Sequence, residues 1–224
     1  MVEPEVVEML ERLTWIKEST YRWAGDGLTV YIDVWGARED PVPADVIFIT
    51  HAHFDHFDLD DLAKIRRDDT VVVAPRDVAA ELSGEVIAVT PGETVEARGV
   101  KGETVPAYNI VEHRLGKHPK ENGWVGYVLD LGGTMHYFSG DTDHLPELDQ
   151  IRADGAFVCV GGDPFVMAPQ EAADLVKAIN PSVAVPNHYG WPVGTPANAE
   201  AFKKAADPVP VEILTPVVPF ERTK

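Results

Sequence analysis

Thr50-His51-Ala52-His53-Phe54-Asp55-His56-Phe57-Asp58 is the stretch that decides the fold of this chain. Its histidines and its first aspartate follow the spacing H-x-H-x-D-H. The run 46–50 immediately before them is apolar and β-branched, which predicts a buried strand. Loops that leave a rigid strand often carry binding groups. We therefore predict a functional loop at this strand end.

The side chains of this loop are metal-ligand types. His51 and His53 are two residues apart, so extended backbone directs both to the same side. Asp55 and His56 follow where the chain turns, and they can aim at a neighbouring point. Imidazole nitrogen together with carboxylate oxygen suits zinc, manganese or iron. The alternative is a polar loop that is merely rich in histidine, and we disfavour it because the same chemistry recurs downstream.

Two later blocks supply that recurrence. The first is Tyr137-Phe138-Ser139-Gly140-Asp141-Thr142-Asp143, and the second is Val183-Ala184-Val185-Pro186-Asn187-His188-Tyr189-Gly190. In order and spacing, the three blocks together resemble the signature of the metallo-β-lactamase superfamily. The Gly-Asp-Thr and Pro-x-His-Tyr elements, with Gly161-Gly162 and a later Glu-Ala helix, resemble a branch that includes L-ascorbate-6-phosphate lactonase-like metal-dependent hydrolases.

The resemblance implies a fold and a ligand set. The implied fold is α/β, an αββα sandwich with the metals at one edge between two sheets. The implied cofactor is one or two divalent ions per chain, zinc foremost, with manganese or iron as alternatives. The implied metal ligands are His51 and His53 for one ion, Asp55, His56 and His188 for a second, and Asp141 as the bridge between them. A structural zinc site would instead be closed by four ligands, usually including cysteines.

One position of the ligand set is ambiguous. The superfamily usually supplies a third histidine to the first metal, and in our alignment Asn109 takes that place. His113 and His118 lie a few residues beyond it. We favour His118 as a metal ligand or substrate contact, because its Lys-His-Pro-Lys setting resembles a motif in this branch; the alternative is a surface histidine. We assign Asn109 to substrate binding.

Several other polar residues are candidates for lesser roles. We predict that His144 and Tyr189 contact the substrate, although His144 also fits a solvent-facing turn. We interpret His136 as structural. Asp58 fits two roles, orienting a ligand histidine or capping a helix that begins at Leu59.

The predicted activity is hydrolysis of a small ester, lactone or phosphodiester by metal-activated water, with Asp55 as the catalytic proton acceptor. The chain has no G-x-S-x-G motif, and its single cysteine, Cys159, lies in an apolar run, so serine and thiol nucleophiles are disfavoured. The alternative function is a catalytically weak metal-binding or regulatory protein. A third option is an oxygen-handling di-iron protein, which we would expect beside a flavin-binding module.

Length and charge limit the remaining classes. With 224 residues, we predict one domain over 1–224, with an N-terminal amphipathic helix at about 3–17 and a closing strand over 211–214. The formal net charge of −18 disfavours binding to nucleic acid or anionic membrane. We expect a small-molecule substrate as partner and a cytoplasmic location, because no apolar span or export signal is evident. The sequence leaves open whether the chain forms a homo-oligomer.

Overall fold

The computed structural model describes residues 4–38 and 41–220, and within them the strands form two six-stranded sheets. The first sheet, in chain order, contains β1 (Leu13–Lys17), β2 (Thr20–Gly25), β3 (Leu28–Ile32), β4 (Val46–Phe48), β5 (Val71–Pro75) and β6 (Val86–Val89). The second, also in chain order, contains β7 (Thr94–Ala97), β8 (Val100–Pro106), β9 (Val125–Asp130), β10 (Met135–Phe138), β11 (Gly155–Cys159) and β12 (Val183–Asn187). Each half of the chain therefore builds one sheet.

The helices cover the outer faces of the sheets. They are α1 (Pro4–Glu11), α2 (Leu59–Ile65), α3 (Arg76–Ala80), α4 (Pro169–Ile179) and α5 (Pro196–Ala205). Short 3₁₀ turns lie at Glu112–Arg114, Lys120–Asn122 and Pro146–Gln150. In the described ranges, no helix is both long and apolar enough to cross a membrane.

The main core lies between the sheets. Strand residues alternate between faces, so Val46 and Phe48 point into the core shared with the second sheet, whereas Ile47 belongs to a second cluster that contains residues of α2. Phe48 meets Tyr127 of β9 with ring centroids 5.2 Å apart. These layers confirm the predicted αββα sandwich.

Strand direction positions the site. β3, β4 and β5 run parallel, and so do β10, β11 and β12. The carboxyl ends of parallel neighbours meet at the same edge of a sheet, where ligand sites of α/β proteins concentrate. The loops after β4, β10 and β12 carry most of the candidate ligands. Asn109 and His118 lie in the loop after β8, which ends at the same edge as β10 because both strands are antiparallel to β9.

The N-terminal prediction needs a correction. The helix stops at Glu11 instead of continuing to residue 17, and Leu13–Lys17 is strand β1; residue 3 lies outside the described ranges. Leu13 and Trp15 enter the core between the sheets while Ile16 packs on the outer face, and β1 pairs with β2 in antiparallel register. Tertiary pairing therefore overrides the helical apolar pattern in this segment.

The predicted closing strand is also corrected. In the described part of the chain, 211–214 forms only an isolated parallel bridge between Val211 and Ala184. The Glu212 N–H donates to the carbonyl of Ala184 at 3.0 Å. By contrast, β9 and β10 form a regular antiparallel hairpin around Gly132-Gly133.

Candidate metal centre

The loop after β4 folds into a tight turn. The N–H groups of His56 and Phe57 donate to the carbonyl of His53 at 2.9 and 2.8 Å. This turn returns the chain so that the side chains of His51, His53 and His56 face one region; the His51 and His56 ring centroids are 3.9 Å apart. The compact spacing of the motif is therefore what lets one loop supply several ligands.

Seven side chains converge in two neighbouring groups. Within each group, the potential ligand atoms all lie within 4.8 Å of one another. The first group is His51, His53, His118 and Asp141, and the second is Asp55, His56 and His188. These are the residues that the sequence analysis assigned to the metal, including His118.

Asp141 stands between the groups. Its Oδ2 lies 3.2 Å from Nε2 of His118 in the first group and 3.2 Å from Nε2 of His188 in the second. Its Oδ1 lies 3.3 Å from Nε2 of His56. This is the position that a carboxylate shared by two cations requires.

The centre contains polar atoms that the described protein atoms leave without a well-aligned hydrogen bond. They are Nε2 of His56, His118 and His188, and Oδ1 of Asp141. Buried polar groups nearly always have a partner. Here several imidazole nitrogens and a carboxylate oxygen converge without a hydrogen-bond partner, an arrangement that fits a divalent cation. The donor types suit zinc, manganese or iron.

Charge coupling in the centre is strong. Burial, reinforced by His56, holds the pKa of His51 well below its ordinary value, so its imidazole is neutral and free to bind a metal. Burial alone would lower the pKa of His188, but Asp141 and Asp55 outweigh it and raise that pKa to about 9. Burial would raise the pKa of Asp141, yet His188 and His56 hold it well below its usual range. A dication can replace the protons that these carboxylates otherwise retain on the histidines.

Asp33 and Thr50, which the sequence analysis missed, support the histidines from behind. Asp33 is buried, and its Oδ2 lies 2.7 Å from Nδ1 of His56. It also accepts from the Thr50 N–H at 2.7 Å, while the Thr50 hydroxyl lies 2.9 Å from Nδ1 of His51. Metal-bound histidines usually donate their other ring N–H to such a group. An acid directly after the apolar strand β3 is the signal that could have identified Asp33.

Asn109 lies behind His118 and not among the ligand atoms. Its Oδ1 accepts from the backbone N–H of His118 at 3.1 Å and lies 2.9 Å from Nδ1 of that ring. Its Nδ2 donates to Asp143 at 3.1 Å. Asn109 is buried, with both ends of its amide engaged, so its position suits orienting His118 and not contacting a substrate.

Asp143 holds the loop that contains Asn109 and His118. Its Oδ2 accepts the N–H groups of Ile110 and Val111 at 2.7 and 2.9 Å. Its Oδ1 accepts from the buried guanidinium of Arg114 at 2.8 Å. The loop that carries His118 is thereby tied to the block that carries Asp141.

The two remaining substrate-contact candidates lie outside both groups. His144 Nε2 is 2.7 Å from a carboxylate oxygen of Asp149, in a partly exposed turn. Tyr189 is buried and packs against Trp15, with ring centroids 5.4 Å apart. The geometry brings neither side chain among the ligand atoms.

Three further residues have structural positions. Asp58 caps α2 by accepting the Asp61 N–H at 2.9 Å, the second of the two roles considered for it. His136 is buried in β10, where burial lowers its pKa to about 4. Burial raises the pKa of the Cys159 thiol to about 12, which makes it a poor nucleophile.

A family model described as the beta-lactamase superfamily domain matches residues 12–188, the segment that contains both ligand groups. This chain belongs to the metallo-β-lactamase superfamily. The matched segment also includes Asp33 and Asn109, which contact the rings of His56 and His118.

Two relatives of this chain share the name UPF0173 metal-dependent hydrolase. A UPF0173 metal-dependent hydrolase of Thermococcus onnurineus is 36% identical over 193 residues, which is 80% of this chain and 83% of that protein. Another, from Methanopyrus kandleri, is 30% identical over 94% of this chain and 100% of its own length. The crystal structure of a protein assigned as a metal-dependent hydrolase in Parabacteroides distasonis matches with a TM-score of 0.77 and 28% identity, covering 90% of this chain and 91% of that one.

Proposed function

We propose that this chain is a metal-dependent hydrolase that acts on a small ester, lactone or phosphodiester. The observation that carries the proposal is the convergence of two ligand groups on Asp141, in which buried imidazole nitrogens and one carboxylate oxygen have no well-aligned hydrogen bond. The name shared by the relatives supports the same reaction class.

The chain's residues divide the work of holding the metal. His51, His53 and His118 would hold one ion, Asp55, His56 and His188 a second, and Asp141 would contact both. When bound, a divalent cation lowers the pKa of water and polarises a carbonyl or phosphoryl oxygen. Zinc is the ion we propose first, with manganese or iron as alternatives.

Asp55 is the proposed proton acceptor. Its Oδ2 lies 3.4 Å from Nε2 of His188, in a largely buried position. In the metal-free protein burial would raise its pKa, but the contact with His188 and the charges of His56 and His188 lower it, so Asp55 is ionised at neutral pH. An ionised carboxylate at this place can accept a proton from the attacking water, and a bound cation would supply the positive charge that the histidines supply in the metal-free protein.

The competing function, a catalytically weak metal-binding protein, loses its main support. That support was Asn109 in the place of a ligand, which would weaken the first metal. The nearness of His118 to the other candidate ligand atoms, with Asn109 bonded to the far side of its ring, supports His118 as the ligand instead. Both groups are therefore furnished with histidine and carboxylate.

Metal content and turnover test the proposal together. We expect elemental analysis to find bound divalent metal, and a panel of lactones, carboxylic esters and phosphodiesters to reveal hydrolysis of at least one class. Chelation should abolish the activity, and zinc or manganese should restore it. Full activity of thoroughly metal-free protein would overturn the proposal. A stoichiometric metal content without hydrolysis of any of the three substrate classes would also overturn it.

Asp55→Asn tests the proton acceptor separately. The amide preserves the shape and cannot accept the proton, so turnover should fall by about 10²–10⁴-fold. Metal occupancy must be measured in the same sample, because the amide is also a poorer ligand. Full occupancy with unchanged turnover would remove Asp55 from the reaction.

A further inference from the structure

Lys17, at the end of β1, is a buried cation beside the metal centre. Its residue is only 8% exposed, and within 4–38 and 41–220 its ammonium forms no hydrogen bond or ion pair. Nζ lies 3.4 Å from the centroid of the Trp35 ring and 5.5 Å from that of Trp191. A cation–π contact occupies one side of an ammonium that carries three donors. Lysine is rarely buried to this extent without an acceptor.

None of the nearby carboxylates binds Lys17 within the described residues. Burial lowers the pKa of Lys17, and the charges of Glu18, Asp61 and Asp55 only partly offset it. Asp61 accepts two backbone N–H groups at 2.7 and 3.0 Å and binds an exposed lysine at 2.6 Å. Glu18 accepts a backbone N–H at 3.3 Å through Oε1, whereas its buried Oε2 has no partner among the described residues and does not bind Lys17. Asp55 lies against a histidine of the second ligand group. The donors of Lys17 are therefore available to a ligand.

An aromatic wall, which consists of Trp35, Phe54 and Trp191, connects Lys17 to the metal centre. Phe54 directly follows His53 in the ligand loop, is 59% exposed, and meets Trp35 edge-on with centroids 5.6 Å apart. Trp191 stacks on Trp35 at 6.0 Å, three residues after His188. The wall therefore borders the loops that supply ligands to both groups.

The β1–β2 turn gives a second connection. The backbone carbonyl of Glu18, the residue after Lys17, accepts the His188 N–H at 3.3 Å. The same turn residue contacts the Trp191 N–H through its carboxylate. Lys17 is thus on the element that touches the His188 loop, and its ammonium points to the aromatic side of that loop.

We propose that Lys17 binds an anionic group of the substrate, a carboxylate or a phosphate, while the aromatic wall contacts the apolar part of the same molecule. The proposal rests on the proposed hydrolase function and names its substrate class. A chain with a net charge of −18 repels anions at long range, so a substrate anion needs a local cation. A partly desolvated ammonium beside aromatic rings provides one.

Matched substrate pairs test this in the metal-loaded protein. One pair is para-nitrophenyl glutarate, with a free carboxylate, and para-nitrophenyl valerate; the other is hydroxymethyl-γ-butyrolactone and its phosphate monoester. Lys17→Met should reduce the ratio of kcat/KM for the charged over the neutral member by about 10- to 100-fold. Lys17→Arg should retain most of the ratio, and the exposed control Lys101→Met should retain all of it. The pair with the larger loss identifies the anion.

A ratio unchanged in Lys17→Met, or losses equal for charged and neutral members, would overturn the proposal. Lys17→Gln replaces the Met variant if that variant does not fold. Binding of glutarate and of inorganic phosphate, followed by tryptophan fluorescence of the metal-loaded protein, needs no turnover. If neither these pairs nor any phosphodiester is hydrolysed, the proposed function fails by itself; weaker anion binding by Lys17→Met would then still support the Lys17 site, and equal binding would overturn it.

Discussion

At the scale of single residues, the metal centre depends on side chains that contribute no ligand atom themselves but hold the rings of the ligand histidines. Asp33 fixes the ring of His56, Thr50 contacts the ring of His51, and Asn109 fixes the ring of His118. Each bond defines which ring nitrogen is left for the cation. We therefore expect substitutions behind the ligands to affect metal binding as well as stability.

Asp33→Asn tests the acidic support. The amide cannot accept as strongly from His56, so we expect metal affinity to fall by about 10- to 100-fold, measured by competition with a coloured chelator. Asp58→Asn is the matched control, because asparagine still caps α2 and Asp58 contacts no ligand histidine in the described structure. Equal affinities of the two variants would contradict the role of Asp33.

His118→Ala and His113→Ala separate a ligand from a nearby histidine. His118 is buried in the first ligand group, whereas the exposed His113 pairs with Asp163 at 2.7 Å. We expect His118→Ala to lower metal stoichiometry or affinity and His113→Ala to leave both unchanged, as measured by elemental analysis after gel filtration. A wild-type stoichiometry and turnover in His118→Ala would show that His118 is not a ligand.

At the scale of elements, close packing between the loop after β11 and the loop after β12 sets the position of His188. A Cβ on Gly161 would clash with the carbonyl oxygen of His188 and stand 2.7 Å from Cγ1 of Val193. His188 itself has a φ of 52°, in the left-handed region that few non-glycine residues adopt. The neighbouring backbone therefore holds a conformation that the local sequence would not prefer.

Gly161→Ala should disturb both packing and metal binding. We expect the free energy of unfolding to fall by roughly 1–3 kcal/mol, because backbone atoms must move to admit the methyl group. Metal affinity should fall with it, since the His188 loop shifts. Gly116→Ala is the control, because a Cβ there meets nothing within 4 Å. Urea unfolding and metal titration measure the two effects, and wild-type values for both in Gly161→Ala would contradict this packing argument.

At the scale of the whole molecule, the buried charges make folding and metal loading respond oppositely to pH. His188 has a folded pKa of about 9, raised above its unfolded value of about 6.5 by Asp141 and Asp55 against the effect of burial. Its stabilisation is complete below about pH 6.5 and is lost as the pH rises through 9. Burial raises the pKa of Glu18 to about 8, which also costs stability as the pH rises.

We therefore expect metal-free protein to lose stability between pH 6.5 and 9, by on the order of 3 kcal/mol from His188. Metal affinity should rise over the same interval, because a metal needs deprotonated imidazole. Urea unfolding of chelator-treated protein and metal titrations at each pH measure the two trends. His188→Gln should flatten the first trend; metal-free stability that is constant or rising over this range would contradict the assignment.

The sequence by itself determined the reaction class, metal-dependent hydrolysis, and most of the candidate metal ligands. H-x-H-x-D-H after an apolar strand predicts a metal loop because ligand type and spacing are local properties, and Asp141 and His188 repeat the strand-then-ligand pattern. The hairpin of β9 and β10 was predictable for the same reason, since alternating residues and a Gly-Gly turn are local signals. The role of Lys17 was not, because its significance depends on rings from three distant segments.

Only the tertiary structure decided which nearby residue takes each position around the candidate metal centre. It brought His118 among the ligand atoms and put Asn109 behind it, a choice that loop folding over several residues makes and alignment alone leaves open. It also turned 13–17 into strand β1, because pairing with β2 and burial of Trp15 outweigh a helical apolar pattern. Local patterns report what a segment prefers, whereas pairing, burial and charge partners come from residues far along the chain, and their sum determines the conformation adopted.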